Sequence, residues 1–328
     1  MRAVVRTESW PIRGGFRIAR GARANAEVLV VEVRGEGLIG RGECVPYPRY
    51  GESIESVTES IDAALAALPE LGPQRSALQR LAAGAARNAL DCALWDLEAR
   101  TAGTPAWSLA GLKSEPTPVL TMRTVSVGTP EAMHAAAAKV SGAAVIKVKV
   151  DGGPDLERIE AVHAAAPQAE LVVDANESWS PEQCRAWLPQ LPRFGVGVLE
   201  QPLAAGRDSA LEGLERPIPI CADESFHDRS SFETARRRYE IVNIKLDKAG
   251  GLTEALACAS EAERLGLGIM LGCMVSTSLA IEPALILAGR AAYVDLDGPL
   301  LLETDREPAK HDRSAGMLRP SGALWGGA

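Results

Sequence analysis

The sequence predicts an α/β fold: a (β/α)7β barrel of the TIM-like kind, preceded by an α+β capping domain. Three observations carry this reading. Short β-branched or leucine-rich runs alternate with helical stretches rich in Ala, Glu and Arg, the texture of a parallel sheet wrapped by helices. Eight such runs occur: VLTMRTVSV, AVIKVKV, LVVDAN, GVGVLEQ, IPICADE, IVNIKLD, GIMLGCM and AYVDLD. Charged residues stand at the ends of five of them at nearly constant spacing. Lys149, Asp174, Glu200, Asp223 and Lys245 are separated by 25, 26, 23 and 22 residues. One strand plus one helix of such a barrel takes roughly that length, and its chemistry sits at the C-terminal ends of the strands. The turns DGG and AGG lack a G-x-G-x-x-G pattern, which disfavours a dinucleotide-binding sheet.

The elements follow in order. Residues 1–112 read as the α+β cap. In it AEVLVVEV, the turn RGEG and LIGRGEC form a hairpin with glycines at the bend. From about 53 to 102 the pattern is helical, and Ala86, Leu90, Ala93, Leu94 and Leu97 share one face. Gly103 and Pro105 stop that helix. The linker KSEPTP (113–118) marks the domain boundary, and 113–304 is the barrel. The polar, Gly- and Pro-rich segment 305–328 is expected to return to the cap.

Composition narrows the function. With 328 residues and 46% hydrophobic content, a sizeable core is available. A formal net charge of −8 argues against nucleic acid as a general partner. The run Arg236-Arg237-Arg238 reads as the wet face of a helix. Six scattered cysteines without a CxxC pair suit reduced thiols better than disulfides. The start, MRAVVRTESWPIRGG, has no apolar signal stretch, and no run is long enough to span a membrane. A cytoplasmic protein with a small-molecule partner is expected; a homo-oligomer is compatible with the sequence.

The acids define the chemistry. Asp174, Glu200 and Asp223 each end an apolar strand, where an unpaired carboxylate is costly. Three converging acids repel one another unless a cation lies between them, and an all-oxygen set selects a hard metal such as Mg²⁺. Lys147 and Lys149 lie two residues apart on one strand face, and Lys245 comes from the far side of the barrel. Adjacent amines near a metal are expected to depress each other's pKa, leaving neutral amine to act as base.

The ordered set KVK (147–149), DAN (174–176), LEQP (199–202), ADES (222–225) and NIKLDKAGG (243–251) resembles the enolase superfamily, muconate-lactonizing subgroup. The resemblance covers nearly the whole chain. It implies one Mg²⁺ held by Asp174, Glu200 and Asp223, and Lys149 and Lys245 as bases, with Lys147 a second positive contact. The reaction implied is removal of a proton α to a carboxylate, with the metal stabilising the enediolate.

The last strand narrows the reaction. Asp295 and Asp297 in YVDLDGP share a face at the barrel mouth, where they suit an ammonium group and repel an anion. This D-x-D resembles that of dipeptide epimerases. LGCMVSTSLA (271–280), which contains Met274, and PYPRYGES (46–53) are similar to the Ala–Glu group among them. The resemblance implies epimerisation at the C-terminal residue of L-Ala-L-Glu-type dipeptides by two-lysine 1,1-proton transfer. A loop at 14–26 is expected to cover the pocket, with Arg20 or Arg23 pairing bidentately with a glutamate side chain. Arg123 on the first barrel strand is a further candidate. Rival readings are o-succinylbenzoate synthase, a cycloisomerase or an N-acylamino-acid racemase on the same scaffold. A non-catalytic metal- or peptide-binding barrel is the reading from another class.

Overall fold

The computed structural model describes residues 2–71, 75–309 and 311–328. Three antiparallel strands open the chain: β1 (Arg2–Ile18), β2 (Gly21–Gly35) and β3 (Leu38–Cys44). The RGEG bend is a two-residue turn, with Gly35 opposite Leu38 and positive φ at Glu36 (53°) and Gly37 (80°). Alternate residues of β2 (Leu29, Val31, Val33) pack on Leu90, Ala93 and Leu94 of the helix Ala85–Ala102 and on Ile61 of the helix Ile54–Leu71. Gly42 of β3 faces the first of these helices so closely that a Cβ there would stand 2.8 Å from Ala93 N. Residues 72–74, inside the stretch expected to be helical, lie outside the described residues.

The segment expected as a loop at 14–26 is largely strand. After a register break between Pro11 and Phe16, the pairs Phe16–Arg23, Arg17–Ala22 and Ile18–Gly21 extend the β1–β2 ladder. A tight turn at Ala19 and Arg20 closes it. The polar sequence read as loop because both faces of this finger lie outside the sheet's core.

After β4 (Val119–Leu120), eight parallel strands follow in simple sequence order: β5 (Arg123–Val125), β6 (Val145–Lys149), β7 (Glu170–Asp174), β8 (Val196–Glu200), β9 (Ile220–Ala222), β10 (Ile241–Lys245), β11 (Gly268–Gly272) and β12 (Tyr293–Asp295). Each arises from one of the eight apolar runs. The ring is joined where Met122 N donates to Val294 O at 2.8 Å. Met122, Val172, Val198, Cys221 and Met270 pack together in the barrel interior. Because side chains alternate along a strand, the residues two or four further on also point inward, and there the charged groups begin.

β13 (Met317–Leu318) pairs antiparallel with β4. The chain beyond it packs on the helix Ala85–Ala102, where Trp325 Nε1 donates to Cys92 O (3.0 Å) and Gly326 N to Asp96 Oδ1 (2.7 Å). All six cysteines are free thiols. Among the described residues no helix is long and apolar enough to cross a membrane.

Asp247 stitches the cap to the barrel. Its Oδ1 accepts from Val45 N (3.0 Å) and Asn88 Nδ2 (2.9 Å). Burial pushes its carboxyl up from 3.8 to about 7, and these two hydrogen bonds only partly offset that. The folded state therefore holds this proton more tightly than the unfolded chain, so the group's contribution to stability is lost as pH rises from about 4 to 7. Asp247→Asn keeps the acceptor and removes the titration. Its unfolding free energy relative to the parent should rise between pH 5 and pH 8, measured by urea titration; an unchanged difference would refute the assignment.

Candidate active site

Lys147 and Lys149 project into the barrel mouth from β6, Asp174 from the end of β7 and Glu200 from the end of β8. Asp223 follows β9, Lys245 ends β10 and Asp295 ends β12. One carboxylate oxygen from each of Asp174, Glu200 and Asp223 lies within 4.8 Å of the others. All three acids are buried. Lys149 Nζ is 2.5 Å from Asp174 Oδ2, and Lys245 Nζ is 2.8 Å from Asp223 Oδ2. Lys147 Nζ reaches Asp295 Oδ2 at 2.6 Å, Glu200 Oε2 at 2.7 Å and Asp174 Oδ2 at 3.2 Å.

Taken without a cation, the acids around Lys147 and Lys245 act against the expected depression. Burial alone would lower the Lys147 ammonium, but Asp295, Glu200 and Asp174 outweigh it and hold it well above the ordinary lysine range. Lys245 is likewise held up by Asp223, against burial and the charge of Lys147. Acids outweigh the neighbouring amine: three face Lys147 and one faces Lys245 within hydrogen-bond distance. Among the acids the tendencies diverge. Burial and the charge of Asp174 push Glu200 up to about 7. Asp174 is held down to about 2 against its burial by Lys149 and Lys147. Three adjacent carboxylates, one of them forced toward its neutral form, call for more positive charge. Glu200 Oε2 also accepts no well-aligned hydrogen bond despite the nearby Lys147 amine. The donor set therefore fits a hard divalent cation such as Mg²⁺.

A cavity of about 470 Å³ opens over these groups. Its floor includes Lys147, Lys149, Asp223 and Lys245, and Asp295, Asp297 and Met274 form one side. Its roof is the β1–β2 finger with Phe16, Ile18, Arg20 and Arg23, beside Tyr47 and Tyr50. Asp297 Oδ2 accepts from Thr124 N at 2.8 Å, and burial together with Asp295 pushes its carboxyl up to about 6. The two loop arginines differ. Arg20 is engaged with Glu224 Oε1 (2.6 Å), Glu177 Oε2 (3.2 Å) and Asn176 O (3.0 Å). Arg23 stands 5.2 Å over the Tyr47 ring. Arg123 is not brought to the cavity. It lies between the inward positions 122 and 124, and its Nη1 donates to Arg313 O at 2.8 Å.

Comparison with known proteins places this architecture. Residues 131–322 match the enolase C-terminal domain-like family model, and residues 1–111 match the N-terminal domain of mandelate racemase / muconate lactonizing enzyme. The chain belongs to the mandelate racemase / muconate lactonizing enzyme family of the enolase superfamily. It is 51% identical to the L-Ala-D/L-Glu epimerase of Escherichia coli strain K12, over 92% of this chain and 94% of that one. It is 42% identical to an N-acetyl-D-glutamate racemase of a Pseudoalteromonas species, over 92% and 96% of the two chains. Among solved structures, an enolase family member from Agrobacterium tumefaciens with homology to dipeptide epimerases superposes with a TM-score of 0.94. That protein was crystallised with sodium, L-Ala-L-Glu and an ordered loop; it is 44% identical and covers 99% of each chain.

Within this family frame, several residues around the site went unassigned in the sequence. Glu224 follows Asp223 in ADES and clasps Arg20; Lys248, three residues after Lys245, donates to Asp223 Oδ1 at 2.6 Å. Asn243 Nδ2 donates to Glu200 Oε1 at 2.9 Å. Their motifs were visible, but their partners come from other strands. Gly272, inward on β11, leaves the room these groups need. A Cβ there would overlap the Asn243 amide and approach Lys245 Cε to 2.9 Å. Gly272→Ala should therefore lower kcat about 10-fold or more by displacing Lys245, while far-UV circular dichroism stays unchanged. Parental kcat in this variant would show that the neighbours yield.

Proposed function

We propose that this protein is a Mg²⁺-dependent dipeptide epimerase, an isomerase that inverts the C-terminal α-carbon of L-Ala-L-Glu and L-Ala-D-Glu. The observation that carries the reading is the pair of lysines on opposed walls. Lys149 on β6 and Lys245 on β10 are four strands apart in a ring of eight, with a cavity between them. One wall takes the α-proton as a free amine, and the other returns a proton to the opposite face from an ammonium. Asp174, Glu200 and Asp223 hold the metal. Bound there, Mg²⁺ offsets the charge that develops on the substrate carboxylate and draws acid charge away from the lysines. Lys147 adds positive charge on the same side. Asp295 and Asp297 receive the dipeptide's ammonium group. Arg23 is better placed than Arg20 to take the glutamate side chain, because Arg20 already serves two acids. Free cysteines suit a reducing compartment, and we place the protein in the cytoplasm.

The N-acetyl-D-glutamate racemase relative favours a second reading, racemisation of an N-acylated glutamate. Asp295 and Asp297 weigh against it, since an acylated nitrogen carries no charge to pair with them. Proton NMR in D₂O with Mg²⁺, L-Ala-L-Glu and N-acetyl-L-glutamate separates the two. Loss of the C-terminal α-proton signal with growth of the L,D-epimer is expected for the dipeptide. Exchange in the acetylated amino acid alone would replace the proposal with the racemase reading. No exchange in either would sink both.

A further inference from the structure

Gln201 follows the metal-site acid Glu200 in the LEQP motif. Its side chain is fully buried and its φ is +34°, a region that non-glycine residues rarely adopt. Its amide spans to the neighbouring strand. Oε1 accepts from Asp223 N at 2.8 Å and Ser225 N at 3.0 Å. Nε2, with two hydrogens, lies against three acceptors: Leu203 O and Ser225 Oγ, each at 2.8 Å, and Tyr239 OH at 3.1 Å. The two backbone donors fix which amide atom is oxygen, so the side chain has one sensible orientation.

Support continues outward. Ser225 Oγ and Tyr239 OH both donate to buried Asp208 Oδ2, at 2.6 and 2.5 Å, and Arg238 Nη1 reaches Asp208 Oδ1 at 2.7 Å. A continuous chain of hydrogen bonds thus runs from a half-buried arginine to the backbone amide of Asp223. Through Gln201 it also ends on the residue next to Glu200. Gln201 itself does not line the cavity, whereas Asp223, on which the chain ends, does.

We propose that Gln201 is a positioning residue for the metal site: it sets the spacing of Glu200 and Asp223, with Tyr239, Ser225 and Asp208 holding its amide in place. The inference rests on the reading of the three acids as a Mg²⁺ site. A bidentate amide suits the task because it is neutral. It adds no charge to a cluster already rich in acids and lysines, yet it satisfies the buried amide of Asp223 and the part-buried amide of Ser225. Outer-shell partners of this kind typically affect metal affinity 10- to 100-fold.

The test is calorimetric titration of Mg²⁺ into the parent protein, Gln201→Met and Tyr239→Phe, with thermal unfolding measured in parallel. The dissociation constant is expected to rise about 10-fold or more in Gln201→Met and at least about 2-fold in Tyr239→Phe. Activity of both variants should be regained largely by raising Mg²⁺, which a lost catalytic group would not allow. A lower melting temperature with parental Mg²⁺ affinity in the folded variants would mean a merely structural role and overturn the inference. If Gln201→Met does not fold, Tyr239→Phe decides alone, and parental affinity there overturns it. Absence of Mg²⁺ binding by the parent protein would instead overturn the metal-site reading, and this inference with it.

Discussion

Lys245→Ala is expected to lower kcat for epimerisation about 10³-fold, and Lys149→Ala to do the same. Neither loss should abolish every proton event. With Lys245 gone, Lys149 still faces one side of the α-carbon, so one dipeptide epimer should go on exchanging its α-proton with solvent. With Lys149 gone, the other epimer should. Time courses of each epimer in D₂O by proton NMR read this directly. The two variants must show opposite preferences. The same surviving epimer in both, or full inversion in either, would remove the two-wall assignment. Lys245→Ala leaves Asp223 its contacts with Lys248, so the site is not expected to collapse for electrostatic reasons.

Asp223→Asn is expected to cost both fold and metal. The Asp223 carboxylate balances two buried ammonium groups, Lys245 through Oδ2 and Lys248 through Oδ1 and the backbone carbonyl. Its neighbours oppose one another. Burial favours the neutral form, whereas Lys245, Lys248 and Lys147 favour the charged one. The lysines win, since the group is held well below the usual carboxylate range. Removing the charge should therefore destabilise the protein by about 3–5 kcal/mol, the cost of leaving buried charges unpaired. Urea unfolding in the presence of a chelator measures that part without metal. Mg²⁺ titration measures the other, for which loss of one of three acidic ligands should leave no detectable binding at millimolar concentrations. Parental stability of the variant would show that the lysines find other partners or release their protons.

Much of this site was legible in the sequence, because strand alternation is a strict rule. Asp174, Glu200 and Lys245 end their strands and Asp223 directly follows its own, so each falls on an inward position. Arg123 broke the same rule unnoticed: it sits between Met122 and Thr124, and alternation turns it away from the cavity. The β1–β2 finger was misread for a different reason. Its strands pair with each other but bury little, so no apolar alternation marks them. The acids that face Lys147 were not counted, because they arrive from β7, β8 and β12 and not from its own strand. Glu224, Lys248 and Gln201 lay inside recognised motifs, but what they bind is set by the meeting of separate loops, which one-dimensional spacing does not encode.

The inward alternation also governs how such a chain can change length. One residue inserted within β6, β7, β8 or β10 would send a lysine or an acid from the mouth to the helix-facing side. The same insertion between a helix and the next strand, as at 166–169 or 213–217, shifts nothing in the mouth. Gaps between this protein and its relatives are thus expected to gather at the end of the barrel away from the mouth, where helices lead into strands, and in the roof finger. The stretches that must be copied without slippage are only five residues or fewer, each ending where the chemistry begins.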